Sequence, residues 1–179
     1  EPLRIVYASQ YYYLELSTAR MLHELNITCE EDREAIEKRI GKIEKKYQIE
    51  LDEMQKTAVV EAAYSGLMIL TGGPGTGKTT TTKMIIEYLR EEQMDFFLAA
   101  PTGRAAKRMS EATGMEAKTI HRLLEYKPPE GYQKNEEHPL EGDVLILDEC
   151  SMIDIMLMYN LLKALPQQMS LILVGDIDQ

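Results

Sequence analysis

Long apolar stretches are missing from this chain of 179 residues. Its longest apolar runs fall far short of the roughly 18–20 residues that a membrane-spanning helix needs. The first residues also lack the basic, apolar and small-residue order of a secretory signal peptide. We therefore expect a cytoplasmic protein with no membrane partner.

Cysteine is scarce as well. The two cysteines, Cys29 and Cys150, lie far apart in the sequence and match no metal-binding spacing. Free thiols are the expected state of such residues in a reducing cytoplasm. We expect Cys150 to fill a small gap behind a strand and not to react.

Positive charge is in deficit, because the formal net charge is −10. This total disfavours a nucleic-acid partner. Residues 99–127 differ from the rest, with six basic and three acidic side chains and a net charge of +3. Local charge decides where a phosphate backbone can dock. The acidic total therefore weakens a DNA-binding hypothesis without excluding it.

The two ends of the sequence are unusual. The chain begins with Glu1-Pro2 instead of Met, and it stops just after an apolar run, at Gln179. We expect the sequence to be a piece of a longer protein.

A phosphate-binding loop is the strongest motif. Residues 72–79 read G-x-x-x-x-G-K-T and follow the apolar run 67–70, which is the strand–loop–helix context of a P-loop. Backbone N–H groups at a helix start would hold the phosphates, Lys78 would reach the β and γ phosphates, and Thr79 would coordinate Mg²⁺. ATP and Mg²⁺ are the predicted cofactors. The predicted nucleotide-binding residues of this loop are Gly73, Pro74, Gly75, Thr76, Gly77, Lys78, Thr79 and Thr80.

The pattern along the chain predicts an α/β fold. Residues 1–50 read as an α-helical lead-in and 51–179 as a P-loop domain, in which apolar strands alternate with helices. This alternation predicts a parallel sheet covered on both faces, with ligands at the carboxyl ends of its strands. The predicted strands are 67–70, 96–100, 144–147 and 171–174, and a surface loop is predicted at 127–142. The predicted helices are 11–26, one opened by a capping box at 28–31, one opened by Asp52 and Gln55, and then 78–92, 103–112, 118–126 and 155–165.

A pair of carboxylates follows the third of these strands. Asp148 and Glu149 come directly after an apolar run, about 70 residues beyond the P-loop. We expect Asp148 to hold Mg²⁺ and Glu149 to orient or deprotonate the attacking water. The alternative is that the two acids merely end a strand.

The last strand is followed by Gly175, Asp176 and, three residues on, Gln179. An amide both donates and accepts hydrogen bonds, so Gln179 is suited to contact a phosphate and a water together. An ordinary strand-terminal turn explains the same residues equally well.

Five segments together resemble a known family. They are GGPGTGKTT at 72–80, APTGRAAK at 100–107, TIHRLL at 119–124, DECSM at 148–152 and GDIDQ at 175–179. Their order is similar to that of the first motor domain of RecD-type superfamily 1 DNA helicases, the alpha chain of exodeoxyribonuclease V and its stand-alone relatives. The resemblance spans roughly residues 50–179.

This resemblance implies a RecA-like fold and ATP-driven 5′-to-3′ translocation on single-stranded DNA, in recombination or repair. It implies that Gln55 recognises adenine, and that a second RecA-like domain supplies arginines to the γ-phosphate. Other exodeoxyribonuclease V subunits are further candidate partners, since the resemblance fits both a lone helicase and a nuclease subunit. The implied DNA-binding residues are Pro101, Thr102, Gly103, Arg104, Lys107, Thr119, His121 and Arg122. The alternatives are a solvated helix face for Arg104, Lys107 and Arg108, and a packed core position for His121.

Two rival hypotheses remain open at this point. A nucleotide kinase or self-contained P-loop ATPase explains the P-loop and the two acids, but it gives residues 101–104 and 175–179 no purpose. A non-catalytic adaptor would use nucleotide only to order a surface. Under the helicase hypothesis, the 179-residue chain alone should bind Mg-ATP weakly, hydrolyse it slowly at best and not unwind DNA.

Overall fold

A computed structural model of the chain describes residues 5–29 and 32–176. Helices and strands alternate over most of this length. The helices are α1 (Ser9–Leu25), α2 (Arg33–Tyr47), α3 (Glu53–Tyr64), α4 (Lys78–Glu91), α5 (Gly103–Thr113), α6 (Ile120–Leu123) and α7 (Ile155–Lys163), with a 3₁₀ turn at Cys150–Met152. The strands are β1 (Leu67–Thr71), β2 (Phe96–Ala100), β3 (Ala117–Thr119), β4 (Tyr126–Lys127), β5 (Gly131–Tyr132), β6 (Val144–Leu147) and β7 (Ser170–Gly175).

The main sheet has five strands in the order β1-β7-β6-β2-β3. Every neighbouring pair in it is parallel. All four residues of β6 are buried, as expected for a central strand covered on both faces. The predicted α/β fold, with helices flanking a parallel sheet, is therefore confirmed.

Two predictions between residues 117 and 142 are wrong in detail. The helix expected at 118–126 is a short edge strand, β3, followed by the four-residue α6. The expected surface loop begins with a two-stranded hairpin, in which Tyr126 pairs with Tyr132. Both elements are too short for residue periodicity to reveal them.

The start of α2 also differs from the prediction. Thr28 forms an isolated antiparallel bridge with Ser65 and does not cap the helix. The cap is Asp32, whose side chain accepts a hydrogen bond from the Glu34 N–H at 3.0 Å. Both residues are suitable helix caps, and the bridge to Ser65 explains why the chain uses the later one.

The start of α3 is as predicted. Asp52 accepts a hydrogen bond from the Gln55 N–H at 2.8 Å, and the Gln55 side chain accepts one from the Asp52 N–H at 3.1 Å. This reciprocal pair is a capping box, which satisfies two backbone donors at a helix start.

Apolar side chains form a core on each face of the sheet. One core joins Ile36, Ile40 and Ile43 of α2 to residues of α3, α4 and the sheet. The other lies under α7, and α1 packs against α7 and contributes Leu25 to it. The helices of the first 50 residues thus share both cores with the sheet.

Within the described part of the chain, no helix combines the length and the apolar character that crossing a membrane requires.

Candidate functional site

Three segments that follow strands meet at the carboxyl edge of the sheet. The P-loop follows β1, Asp148 and Glu149 follow β6, and Asp176 follows β7, which lies between the other two strands. They enclose a cavity of about 220 Å³. Its wall is formed by Lys78, Thr79, Thr82, Arg108, Met109, Ala112, Thr113, Asp148, Glu149, Val174, Gly175 and Asp176.

The P-loop turns tightly into α4. Thr76 donates through its hydroxyl to the Gly73 carbonyl at 2.8 Å, which folds the loop back on itself. Gly77 caps the helix with a φ of 84°, a left-handed conformation that favours glycine. The first N–H groups of α4 lack intrahelical acceptors by the geometry of any helix, so this end can bind an anion. Pro74, Gly75 and Thr80 lie exposed around it.

Lys78 lies between the loop and the end of β7. Its ammonium donates to the carbonyls of Gly72 and Gly73, the latter at 2.9 Å, and forms an ion pair with Asp176. The side chains of Lys78 and Asp176 are only 19% and 16% exposed. The lysine is therefore held at the wall of the cavity, beside Thr79.

Gln55 lies next to the P-loop. A Cβ atom added at Gly77 would come within 2.8 Å of the Gln55 amide nitrogen, so the side chain reaches the start of α4. Gln55 also lines a second cavity of about 590 Å³ between α3 and β1, and Lys78 contributes to the walls of both cavities. Lys78 therefore lies between the cavity that Gln55 lines and the cavity that the two acids line.

The two acids after β6 are fixed by the backbone. The Asp148 N–H donates to the Ala99 carbonyl of β2 at 2.9 Å, and the Glu149 N–H donates to the Asp148 carboxylate at 2.8 Å. Glu149 has a φ of 55°, a left-handed conformation that is uncommon for a residue other than glycine. Its carboxylate accepts a hydrogen bond from the Arg108 guanidinium at 3.1 Å.

Cys150 is packed behind these acids. Its thiol donates to the Leu147 carbonyl at 3.0 Å. Burial raises the pKa of the thiol to about 12, and the nearby charge of Asp148 adds to this effect. A thiol with such a pKa stays protonated near neutral pH, as expected for a packing residue.

The segments predicted to bind DNA lie beside this site. Residues 101–104 follow β2 and Thr119 ends β3, and these two strands pair in parallel with Ala100 opposite Thr119. Thr102 caps α5 and Thr119 caps α6, each accepting a backbone hydrogen bond at 3.2 Å. The side chains of Arg104, Lys107 and Arg122 are exposed, and Lys107 pairs with Glu111 at 3.9 Å.

His121 is exposed and not in the core. Its ring lies 5.7 Å from that of Tyr126 and 5.9 Å from that of Tyr132, on the small hairpin. The two tyrosine rings are themselves 4.9 Å apart. The result is a partly exposed aromatic cluster beside the carboxyl end of β3.

Gln179 lies outside the described residues, so its predicted role stays a prediction. Two other residues enter the site without having been assigned to it. Asp176 pairs with Lys78, and Arg108 pairs with Glu149. Arg108 stands four residues after Arg104, which puts both on one face of α5, but this spacing does not reveal the contact with Glu149.

The donors around the smaller cavity suit magnesium. The Thr79 hydroxyl and the carboxylates of Asp148 and Glu149 supply only oxygen atoms. In residues 5–29 and 32–176 no three His, Cys, Asp or Glu side chains gather into a metal-binding group. Mg²⁺ usually takes one or two protein carboxylates, with waters and phosphate oxygens completing its coordination. The residues therefore fit Mg²⁺ bound together with a nucleotide.

Comparison with known protein families shows to which family the chain belongs. A family model described as an AAA domain matches residues 55–179, well over half of the chain. The chain belongs to this family. The match begins at Gln55, so the whole P-loop edge of this AAA domain lies within it.

Individual relatives show which helicases the chain is similar to. The chain is 44% identical over 137 residues to the ATP-dependent RecD2 DNA helicase of Deinococcus radiodurans, covering 76% of this chain and 19% of the relative. It is 39% identical over 152 residues to the RecBCD enzyme subunit RecD of Mycolicibacterium smegmatis, covering 71% and 27%. The resemblance to RecD-type helicases is thus confirmed. The chain spans about a fifth to a quarter of the length of these relatives.

A solved structure gives the same result for the fold. The Pif1 helicase from Candida albicans superposes with a TM-score of 0.53 at 25% identity, covering 73% of this chain and 33% of that one. The AAA domain described above thus has the fold of a superfamily 1 helicase motor domain.

Proposed function

We propose that the chain is the ATP-binding motor half of a 5′-to-3′ DNA helicase that couples ATP hydrolysis to translocation on single-stranded DNA. One observation carries the proposal: Lys78, Thr79, Asp148 and Glu149 line a single cavity, and the strand next to β6 leads into the basic segment. Relatives named as a DNA helicase and as a RecBCD subunit support it. Recombination or repair is the expected setting, in a reducing cytoplasm that suits the free thiols.

The nucleotide would bind across the two cavities that share Lys78 in their walls. Gln55 would contact the adenine, since its amide reaches the P-loop from α3. Backbone N–H groups at the start of α4 would hold the phosphates, and Lys78 would exchange its contact with Asp176 for the β and γ phosphates. Thr79 and Asp148 would hold Mg²⁺, which neutralises charge that develops on the phosphate oxygens.

Glu149 would orient the attacking water and accept its proton. The backbone supports this role, because the N–H bond to Asp148 and the left-handed φ fix where the side chain starts. Gln179 would contact the γ-phosphate and the same water.

Single-stranded DNA would lie over the carboxyl ends of β2 and β3. The Thr102 and Thr119 helix starts would present backbone amides, and Arg104, Lys107 and Arg122 would contact phosphates without reading the sequence. His121 and its two tyrosine neighbours add ring faces on which a base can stack. Pro101 lies between β2 and α5, and Gly103 is the first residue of α5.

The remaining parts of the machine would come from outside this chain. A second RecA-like domain would supply arginines to the γ-phosphate, a contribution worth about 10³–10⁵ in rate in related phosphoryl-transfer enzymes. Exodeoxyribonuclease V subunits would be partners if the parent protein belongs to that complex. We therefore expect the 179-residue chain to bind Mg-ATP weakly, hydrolyse it slowly and not unwind DNA.

The deciding experiment replaces Glu149 with Gln. Phosphate release under single-turnover conditions should fall about 10²–10⁴-fold, while the affinity for Mg-ATP changes little. Glu50→Gln, the same change at an exposed position, should leave both unchanged.

Each rival function predicts a different result. A non-catalytic adaptor would respond to nucleotide equally well with and without the Glu149→Gln change. A nucleotide kinase would transfer phosphate to a nucleoside monophosphate. Either result, or full turnover by the Glu149→Gln variant, contradicts the proposal.

A further inference from the structure

Arg108 lies between the predicted DNA-binding segment 101–104 and the two acids that follow β6. It lies on α5, whose first turn includes the end of the predicted DNA-binding segment 101–104, and its guanidinium donates to the Glu149 carboxylate at 3.1 Å. The contact exists because β2 and β6 are parallel neighbours, with Ala99 opposite Leu147. The helix after one strand therefore lies over the acids after the other.

The position of Arg108 also suits a contact with DNA. Arg104 precedes it by one turn of α5, on the same face and about 6 Å away along the helix axis. The Arg108 side chain is 64% exposed, whereas that of Glu149 is 21% exposed. Both side chains line the cavity, and the arginine is the more open of the two to solvent.

We propose that Arg108 is a positioning residue that DNA phosphate and Glu149 share, one at a time. This inference rests on the proposed function. Without DNA, the guanidinium engages the Glu149 oxygen that would otherwise accept a proton from the attacking water. A phosphate bound at Arg104 and Arg108 draws the guanidinium away and frees the carboxylate for hydrolysis.

The strength of the pair suits such an exchange. Ion pairs this exposed shift an equilibrium by at most about fivefold, so a phosphate can displace the carboxylate readily. Coupling is reciprocal: if phosphate loosens the Arg108–Glu149 pair, then removing the Glu149 charge must strengthen phosphate binding to Arg108.

The test is a double-mutant cycle on the affinity of the 179-residue chain for a fluorescein-labelled oligothymidylate, measured by anisotropy. Glu149→Gln should tighten binding about two- to fivefold when Arg108 is present. In an Arg108→Gln background, binding should be weaker and the gain from Glu149→Gln should disappear. Arg108→Lys keeps the charge and should retain the coupling.

Two controls separate this coupling from general charge effects. Glu111→Gln removes a negative charge from the same helix, and its small effect should be equal in both backgrounds. Arg90→Gln removes an exposed arginine that is paired with Glu87, and it should leave affinity unchanged. At about 0.1 M salt, exposed charges more than about 10 Å from the bound phosphate are largely screened and contribute little to the affinity.

The outcomes distinguish the two proposals. If Glu149→Gln tightens binding equally in both backgrounds, or not at all with Arg108 present, the shared-arginine inference is wrong and the helicase proposal stands. If the wild-type chain shows no salt-dependent affinity for the oligothymidylate, both are overturned.

Discussion

Replacing Ile36 with Ala tests whether the first helices and the sheet form one cooperative unit. The Ile36 side chain is fully buried at 0% exposure, in the core that also holds Val59 and Val60 of α3 and Met84 of α4. Burial on this scale makes an Ile-to-Ala change cost about 2–5 kcal/mol, from lost transfer energy and the cavity left behind. Domains typically have only about 5–15 kcal/mol of stability, so the loss is a large fraction.

Hydrogen exchange of the β6 amides measures this loss where it matters. These residues are buried in the centre of the sheet and should exchange only through global unfolding. A loss of about 3 kcal/mol should speed their exchange by roughly 100-fold, since about 1.4 kcal/mol corresponds to a factor of ten. For a chain of this size the same loss should lower the Tm by about 6–12 °C.

The matched control is Ile27→Ala, because Ile27 is 59% exposed. This variant should change β6 exchange by less than about threefold, in line with surface substitutions of about 0.5 kcal/mol. The reasoning fails if Ile36→Ala speeds exchange in α2 alone and leaves β6 unchanged. That result would mean that residues 1–50 unfold as a separate unit.

Two further substitutions and one labelling experiment have definite expected results. Asp52→Ala should lower stability by about 0.5–2 kcal/mol in urea unfolding because the α3 capping box is lost, whereas Asp52→Ser should retain most of it. Gly77→Ala forces a Cβ into a left-handed conformation and should cost about 1–2 kcal/mol and weaken Mg-ATP binding, while Gly41→Ala in α2, with nothing within 4 Å, should do neither. Burial raises the pKa of the Cys150 thiol from 9.0 to about 12, so at pH 8 it holds about 1,000-fold less thiolate than it would with a pKa of 9.0. Iodoacetamide should therefore label the exposed Cys29 before Cys150, as measured by peptide mass spectrometry. Equal labelling rates would contradict the burial of Cys150.

The sequence predicts the long elements well for a physical reason. The strand at 144–147 and the helix that starts at Lys78 are specified by local signals, an apolar run and a glycine loop. The predictions of the short elements fail because tertiary contacts, and not the local sequence, determine the conformation of these residues. Thr28 looks like a helix cap, yet its bridge to Ser65 decides its conformation. The strand Ala117–Thr119 exists because β2 offers it an edge.

The same distinction applies to the site. Lys78 and the two acids after β6 can be found from motifs, because each motif combines strand, turn and charge over a few residues. The residues that pair with Lys78 and with the two acids cannot be found in this way. The pairing of Lys78 with Asp176 joins residues almost 100 positions apart, and it depends on the strand order placing β7 beside β1.

Strand order also shows how, under the proposed function, one sheet would serve two ligands. Nucleotide motifs follow β1, β7 and β6, and the basic segments follow β2 and β3, so within the sheet the two groups adjoin at the β6–β2 boundary. Under the proposed function, coupling between the ligands within the sheet would cross that boundary. Among the contacts that cross it near the site are the Asp148 N–H bond to the Ala99 carbonyl, which is fixed within the sheet, and the Arg108–Glu149 pair, which is exposed enough to exchange. A rigid contact can position a carboxylate, whereas the exchangeable one would respond to bound DNA under the proposal above.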